Sequence, residues 1–500
     1  VVFQAVSNAP FNTKLGYLNA GDTVYVAIGP SVTDGSDNYA MDYTISLERR
    51  AIEWSSCRVT ELGGTSVTVT ATLSSPDNIV TTAAATVYWK AVGQADWTGT
   101  NVLGNIATGA LGNVVLTNLI PDTTYYYAFH GTNSLTNAAG WSATNSFTTF
   151  HMEDFILRQR ITFSGYAGGE TLTNFPALVI FNEGQLRFHH REFGSGTGAD
   201  LRFLNSDHTA VLNHEVELWD TNAASYVWVQ VPLLTNNASI WAYWGNTNIS
   251  IAPVYTTNGS VWSAKYAGIW HFRQDGGGLE DLSDSSCRGL SGIQTNDPVS
   301  AAGKVAYGVN FNGANNGFFV DSANLRATSV SFSQATVSWW ALTGDQPVSN
   351  DWWELSVPNC EYVAELTDSY SCSLYDINSD ISGANDVTAD VPDVRSSWHF
   401  LAATMSKADN AAKLYVDGAL QSANTWYAAA AIENFSVGFA KQRTGRYMAA
   451  SMDELQLSTV PRSADWLNAC YLNQGSNGTF ATYERVDPFG WLHGTIITIK

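Results

Sequence analysis

The stretch Ala449-Ala-Ser-Met-Asp-Glu-Leu-Gln-Leu-Ser-Thr-Val-Pro-Arg-Ser-Ala-Asp-Trp-Leu467 decides how this chain is read. Met452, Leu455 and Leu457 alternate loosely with polar residues, which predicts a strand with an apolar face. Pro461 ends it, since proline has no N–H to give a ladder, and Ser463 to Tyr471 can then make two helical turns. A last strand with a short tethered helix is expected, and the remainder of its sheet must lie upstream.

Trp398-His-Phe-Leu-Ala-Ala-Thr-Met-Ser406 and Lys413-Leu-Tyr-Val-Asp-Gly-Ala419 read as a central pair of strands, with Asp417-Gly418 as a tight-turn signal. Earlier strands are predicted at Val337-Ser-Trp-Trp-Ala-Leu342 and Gly268-Ile-Trp-His-Phe272. In this order the motifs resemble the laminin-G-like, concanavalin A-type jelly rolls, and the resemblance gives a domain over residues 252–482. It also implies a structural calcium ion. Asp281, Ser283 and Gly289 are similar to that family's calcium loop, whose second anchor is the Asp of the closing strand, here Asp453. Asp284, Ser285 and Ser286 depart from the family's Gly-Asn-Gly core. The competing reading makes Asp281 a solvated loop residue.

Five hundred residues exceed what one core normally holds, so three or four domains are expected. Eighteen Trp and 22 Tyr beside only 14% charged residues mark a chain that folds. Acidic residues outnumber basic ones 45 to 24, a net charge of −21, which repels nucleic acid and anionic lipid and leaves divalent cations compatible. No apolar run is long enough to span a membrane as a helix.

The fold class expected is all-β, a tandem of antiparallel sandwiches. Residues 1–50 offer strands at Gly21–Pro30 and Met41–Leu47 that resemble part of a jelly-roll module, too little to close a sandwich. In residues 51–150, Leu119, Pro121, Thr123 and Tyr125 resemble the fibronectin type III corner, which implies a structural role for Tyr125 or Tyr127. Residues 151–251, with Asn174–Ile180, Gly198–Phe203, His214–Trp219, Val227–Pro232 and Trp241–Asn246, resemble an uncharacterised β-domain of secreted bacterial proteins. Residues 483–500 form an extension ending in an orphan strand, Gly494–Lys500. Residues 1–47 and this strand are complementary candidates for strand exchange, so end-to-end self-association is expected.

Catalysis finds little support. Glycosidases need two carboxylates flanking a bond, and the only candidates, Glu215 and Glu217, read as a solvated face or a structural ion pair. Gly194-Ser-Gly-Thr-Gly198 has Gly at its centre, so it is a flexible loop and no nucleophile elbow. His189-His190 would point to opposite faces of a strand, which speaks against one shared ligand. A glycan platform is expected from Trp352, Trp353 and Trp426, if one ring of each aromatic pair faces outward; the competing reading puts them in the core. Cys360 and Cys372 flank a turn signal and are expected to face one another and form a disulfide; five free thiols are the alternative. The chain thus reads as a secreted or surface-displayed bacterial protein of structural or adhesive function, with a carbohydrate-binding accessory protein as the alternative.

Overall fold

The computed structural model describes residues 52–489 and Thr23, apart from internal stretches of which 274–281, 326–333 and 426–433 are the longest. The expected strands of residues 1–50 and of 494–500, and with them end-to-end assembly, lie outside the described residues. So do Asp281, Cys287 and Trp426.

The first sandwich is built from β1 (Glu53–Leu62), β2 (Val67–Ser74), β3 (Thr82–Ala91), β4 (Gly99–Ala107), β5 (Leu111–Leu116), β6 (Thr124–Asn133), β7 (Ala138–Trp141) and β8 (Asn145–Thr148). One sheet runs β1-β2-β5 and the other β4-β3-β6-β7, with β8 also on β6. Alternate residues of β2, β3 and β6 turn inward, so Val67, Val69, Ala71, Val87, Tyr127 and Phe129 share one core. The Ile120 N–H donates to the Tyr125 hydroxyl at 2.9 Å, which pins the chain crossing at that corner.

The second sandwich comprises β9 (Leu157–Thr162), β10 (Leu172–Asn182), β11 (Arg202–Asn205), β12 (Val211–Leu212), β13 (His214–Leu218), β14 (Ala224–Leu234) and β15 (Ser239–Trp244). Its sheets are β10-β14-β13 and β12-β11-β15-β9. The chain then enters the third sandwich through β16 (Tyr266–Trp270), β17 (Gly292–Thr295), β18 (Val299–Ala302), β19 (Tyr307–Asn312), β20 (Gly317–Val320), β21 (Gln334–Thr343), β22 (Asn350–Val357), β23 (Cys360–Leu366) and β24 (Ser371–Asn378). It continues through β25 (Ile381–Ser382), β26 (Val387–Asp390), β27 (His399–Ser406), β28 (Ala411–Val416), β29 (Ala419–Asn424), β30 (Asn434–Val437) and β31 (Ala449–Ser458). Two antiparallel sheets result: β18-β19-β31-β21-β27-β28-β29 with β16 on β31, and β17-β20-β30-β22-β23-β24-β25 with β26 on β24. Trp270, Trp339, Trp352, Trp353, Met452, Leu455 and Leu457 fill the space between them.

The anticipated Asp-Gly turn joins β28 to β29, with Asp417 at φ 50 and Gly418 at φ 75. These are the left-handed angles that a two-residue hairpin of this hand requires. Asp417 also accepts from the Phe400 N–H at 3.0 Å and lies 2.7 Å from His399 Nδ1, so it fixes the hairpin against β27.

Helix α1 (Ala464–Gly475) is capped by Ser463, whose hydroxyl accepts the Trp466 N–H at 3.2 Å. It runs four residues past the predicted Tyr471 because it packs between sandwiches. Its Asn473 accepts the Leu178 N–H at 2.6 Å and donates to the Leu178 carbonyl at 3.0 Å. The Ile180 N–H donates to Tyr483 Oη at 2.8 Å. Strand β10 is an edge, and these bonds occupy backbone groups that no neighbouring strand reaches. The chain after the helix returns to the second sandwich, where β32 (Thr482–Tyr483) and β33 (Asp487–Pro488) both pair with β9. The expected free extension from residue 483 is thus corrected at its described start: these strands complete an earlier sheet of the same chain. Arg158 bonds Asp487 at 3.0 Å and Gln159 donates to the Glu484 carbonyl at 2.7 Å.

Candidate functional site

Among the described residues, two places gather chemistry. The first lies where the second sandwich meets the third. Strand β13 buries Glu215 and Glu217 on one face, so the expected solvated face is overturned while the structural ion pair holds for Glu215. Glu215 accepts the Trp262 indole N–H at 2.7 Å and pairs with Arg273. Glu217 accepts the Trp228 indole N–H at 2.7 Å.

Opposite these carboxylates stand His271, at the end of β16, and Glu454 on β31. The alternation of β31 is interrupted there: Trp340 pairs with Asp453 and Ser338 with Gln456, so one extra residue is accommodated as a bulge. Glu454 sits in it at φ 50, and Phe272, next to His271, is at φ 54. Left-handed backbone at non-glycine residues is strained and clusters where side chains must be aimed. His271 Nδ1 lies 2.6 Å from Glu454 Oε1 and 3.6 Å from Glu217 Oε2, and all three side chains are fully buried. One ligand atom from each of the three lies within 4.8 Å of the others. The rings of Trp228 and Trp262 stand 5.5 and 5.4 Å from that of His271.

Burial in a medium of low dielectric pushes the Glu217 carboxyl well above its usual range, and the Glu454 charge adds to this while His271 opposes it. Burial likewise raises Glu454, with Arg273 opposing. Asp453 is raised by burial and by Glu454. Asp453 is engaged with the backbone, accepting the Val305 N–H at 2.7 Å and the Glu454 N–H at 2.7 Å. In the loop read as its calcium partner, Asp284 is the organising residue, with backbone N–H bonds from Ile269 at 2.8 Å, Ser286 at 2.8 Å and Leu290 at 2.7 Å.

The second place is the outer face of the β4-β3-β6-β7 sheet. Tyr88 on β3, His130 on β6 and Trp141 on β7 project to the side opposite the core, and Trp97 reaches over from the β3–β4 connection. The Tyr88 and Trp141 rings are 5.0 Å apart, His130 and Trp141 4.3 Å, and Trp97 and Trp141 6.2 Å with only 9° between their planes. Trp141 is 49% exposed. Lys90 Nζ is 5.5 Å from the Trp97 ring.

Several expected sites are corrected. Trp352 and Trp353 are fully buried, as are Trp339 and Trp340, so none can present a face to a sugar. Both members of each pair are inside because the third sandwich is covered on one sheet by helix α1 and the second sandwich, and the β22 bulge at Asp351–Trp353 turns its two rings inward together. Cys360 and Cys372 do not face one another: Cys360 lies opposite Asn378 and Cys372 opposite Leu366. Six positions of strand separate them, about 20 Å, whereas a disulfide needs Cα atoms within about 7 Å. Cys470 is a buried free thiol, pushed up to about 12 by burial.

His189 and His190 do share a ligand, and it is a carboxylate of the protein. The chain leaves extended geometry at His190, so both Nδ1 atoms meet Glu183, at 2.7 and 2.8 Å. Burial pushes the Glu183 carboxyl up, but the bonds from His189, the His190 N–H and the His190 ring outweigh it and hold it at about 2. That stabilisation is complete above about pH 4.5, the ordinary value, and disappears as pH falls through about 2. Glu183→Gln should therefore cost about 1 kcal/mol at pH 7. The gap to the parent protein should narrow at pH 3 in urea titrations, and a gap independent of pH would reject this account.

Residues 312–468 match the concanavalin A-like lectin/glucanases superfamily, and residues 197–259 match a domain family of unknown function. No curated protein matches the chain. Similar solved structures include domain 4 of AbnA, a GH43 extracellular arabinanase from Geobacillus stearothermophilus, in complex with arabinotriose. It is 17% identical, with 41% of this chain and 97% of that domain covered at a TM-score of 0.32. The receptor binding domain of botulinum neurotoxin C/D mosaic serotype is 13% identical, with 42% and 51% covered at a TM-score of 0.35. The binding domain of Paraclostridial Mosquitocidal Protein 1 is 11% identical, with 42% and 52% covered at 0.33. The chain spans about half the length of the two toxin domains. The sandwich closed by the Asp453-Glu454 strand and its capped helix is a concanavalin A-like domain of the laminin G-like type.

Proposed function

We propose that the chain is a non-catalytic extracellular binding protein, adhesive or accessory to polysaccharide use, whose ligand is a saccharide held on the outer face of the first sandwich. The observation that carries this reading is the surface array of exposed Trp141 with half-buried Trp97 and Tyr88, and with His130 and Lys90 at its margin. Flat aromatic faces beside polar side chains suit sugar rings, whose C–H faces are apolar and whose edges carry hydroxyls. Glu215 and Asp453, two of the buried acidic groups of the second and third sandwiches, are engaged with indole N–H, guanidinium and backbone N–H groups, which fits a protein that holds its ligand without cleaving it.

A glycan array with the full chain tests the proposal. Binding to at least one saccharide class is expected, and Trp141→Ala should weaken it about tenfold or more, as truncation of a central aromatic contact does. Trp141 is half exposed, so the fold should survive, which far-UV circular dichroism would verify. A chain that binds no glycan, or a variant that binds as the parent does, would reject the reading.

A further inference from the structure

We propose that Glu217, His271 and Glu454 hold a divalent cation of the zinc class, which clamps the second sandwich to the concanavalin A-like domain. The three ligands come from separate segments: Glu217 from β13, His271 from the end of β16 and Glu454 from the bulge of β31. The β16–β31 ladder, in which Trp270 lies opposite Leu455, sets His271 beside Glu454, the left-handed backbone at Glu454 and Phe272 aims the two side chains, and Glu217 comes in from the second sandwich.

Two observations point to a missing partner. Glu217 Oε1 and Glu454 Oε2 are buried oxygens that receive no well-formed hydrogen bond, and the side chains that come nearest to bonding Glu454 are Gln456 and the Glu217 carboxyl itself. Buried polar atoms are rarely left so, since each costs about 1–3 kcal/mol. Second, two carboxyls and an imidazole are enclosed with Asp453 adjacent, and the nearby Arg273 is engaged by Glu215 and Ser285. A proton shared by the carboxyls would remove one charge; a dication balances both.

The spacing suits a small ion. Bonds of about 2.1 Å to nitrogen and oxygen give a tetrahedral edge of about 3.4 Å. The 3.6 Å between His271 Nδ1 and Glu217 Oε2 matches that edge, whereas His271 Nδ1 and Glu454 Oε1, at 2.6 Å, are in hydrogen-bond contact and would part by about 0.8 Å to share an ion. One imidazole with two carboxylates is a borderline donor set that zinc accepts. Calcium, which takes six to eight oxygens, is poorly served by it. The Trp228 N–H bond to Glu217 Oε2 orients this ligand from outside, as the outer partners of metal ligands do.

The test uses the full chain, stripped with a strong transition-metal chelator and titrated with Zn²⁺ alone. Native mass spectrometry should show about one tightly held zinc per chain, and the melting temperature should rise with its binding. Ca²⁺ added to the stripped chain in place of Zn²⁺ should give neither the bound equivalent nor the rise in melting temperature. His271→Gln and Glu454→Gln should each abolish the bound equivalent. Should these variants fail to fold, Co²⁺ added to the parent chain decides: visible absorption of tetrahedral cobalt supports the site, and its absence overturns it. A parent chain that retains no zinc, or folded variants that retain as much as the parent, also overturn the proposal. None of these readouts depends on whether a glycan binds.

Discussion

Replacing Asp200 with alanine is expected to destabilise the second sandwich by about 3–5 kcal/mol. Asp200 is fully buried, and its carboxylate accepts four backbone N–H groups. Oδ2 takes those of Gly194 at 2.9 Å, Gly245 at 2.7 Å and Asn246 at 3.1 Å, and Oδ1 takes that of Ser195 at 3.2 Å. Alanine would orphan all four donors where water has little access. The Gly194–Gly198 segment, which its composition marks as a flexible loop, is ordered around this carboxylate. Gly194 is required there, because a Cβ would lie 2.4 Å from the Asn246 carbonyl oxygen. In urea denaturation the midpoint should fall with little change in slope. A loss below about 1 kcal/mol would show that the loop satisfies its donors elsewhere.

Trp466→Ala should cost about 3–5 kcal/mol, as removal of a buried tryptophan usually does, and should also uncouple two domains. Trp466 is 6% exposed and packs edge-on against Phe175 of β10 at 5.1 Å. The Arg462 guanidinium lies 4.0 Å from its ring centre. Trp466 therefore belongs in sequence to the third sandwich and in packing to a core shared with the second. That core includes Phe163, Phe175, Trp228 and Trp244 together with Trp340, Phe400 and Tyr415. With the shared core intact, residues 152–489 should melt in one calorimetric transition. The variant should show two, because Trp466 is the largest side chain that α1 puts into the shared core. A single transition lowered in temperature would mean that the clamp lies elsewhere.

Much of this architecture was legible in the chain. The strand that ends at Ser458, the break at Pro461, the Ser463 cap and the Asp417-Gly418 turn all follow from local rules: alternation, a missing N–H, a side-chain acceptor and tolerance of positive φ. Each is decided within a few residues, so the sequence by itself determined an all-β chain ending in a concanavalin A-like sandwich. Even the loose alternation of Met452, Leu455 and Leu457 was informative. The spacing of three and then two marks the bulge that aims Glu454, a signal visible in the sequence once it is taken as a bulge.

Tertiary structure decided the rest. The adjacent tryptophans at 352 and 353 had one inward and one outward ring on a regular strand, but a bulge places both inside. The spacing of Cys360 and Cys372 allowed a facing pair, but the register of the hairpin put them at its opposite ends. Glu215 and Glu217 had the alternation of a wet face, and whether that face meets water or a second domain is fixed by residues about 50 and 240 positions away, Trp262 and Glu454 among them. Nor could Tyr88, His130 and Trp141 be seen as one surface, since neighbouring strands bring them together from 53 residues of chain. Local propensity acts through the backbone of a few residues. Burial, register and the meeting of charges depend on which surfaces exclude water together, and that is a property of the folded whole.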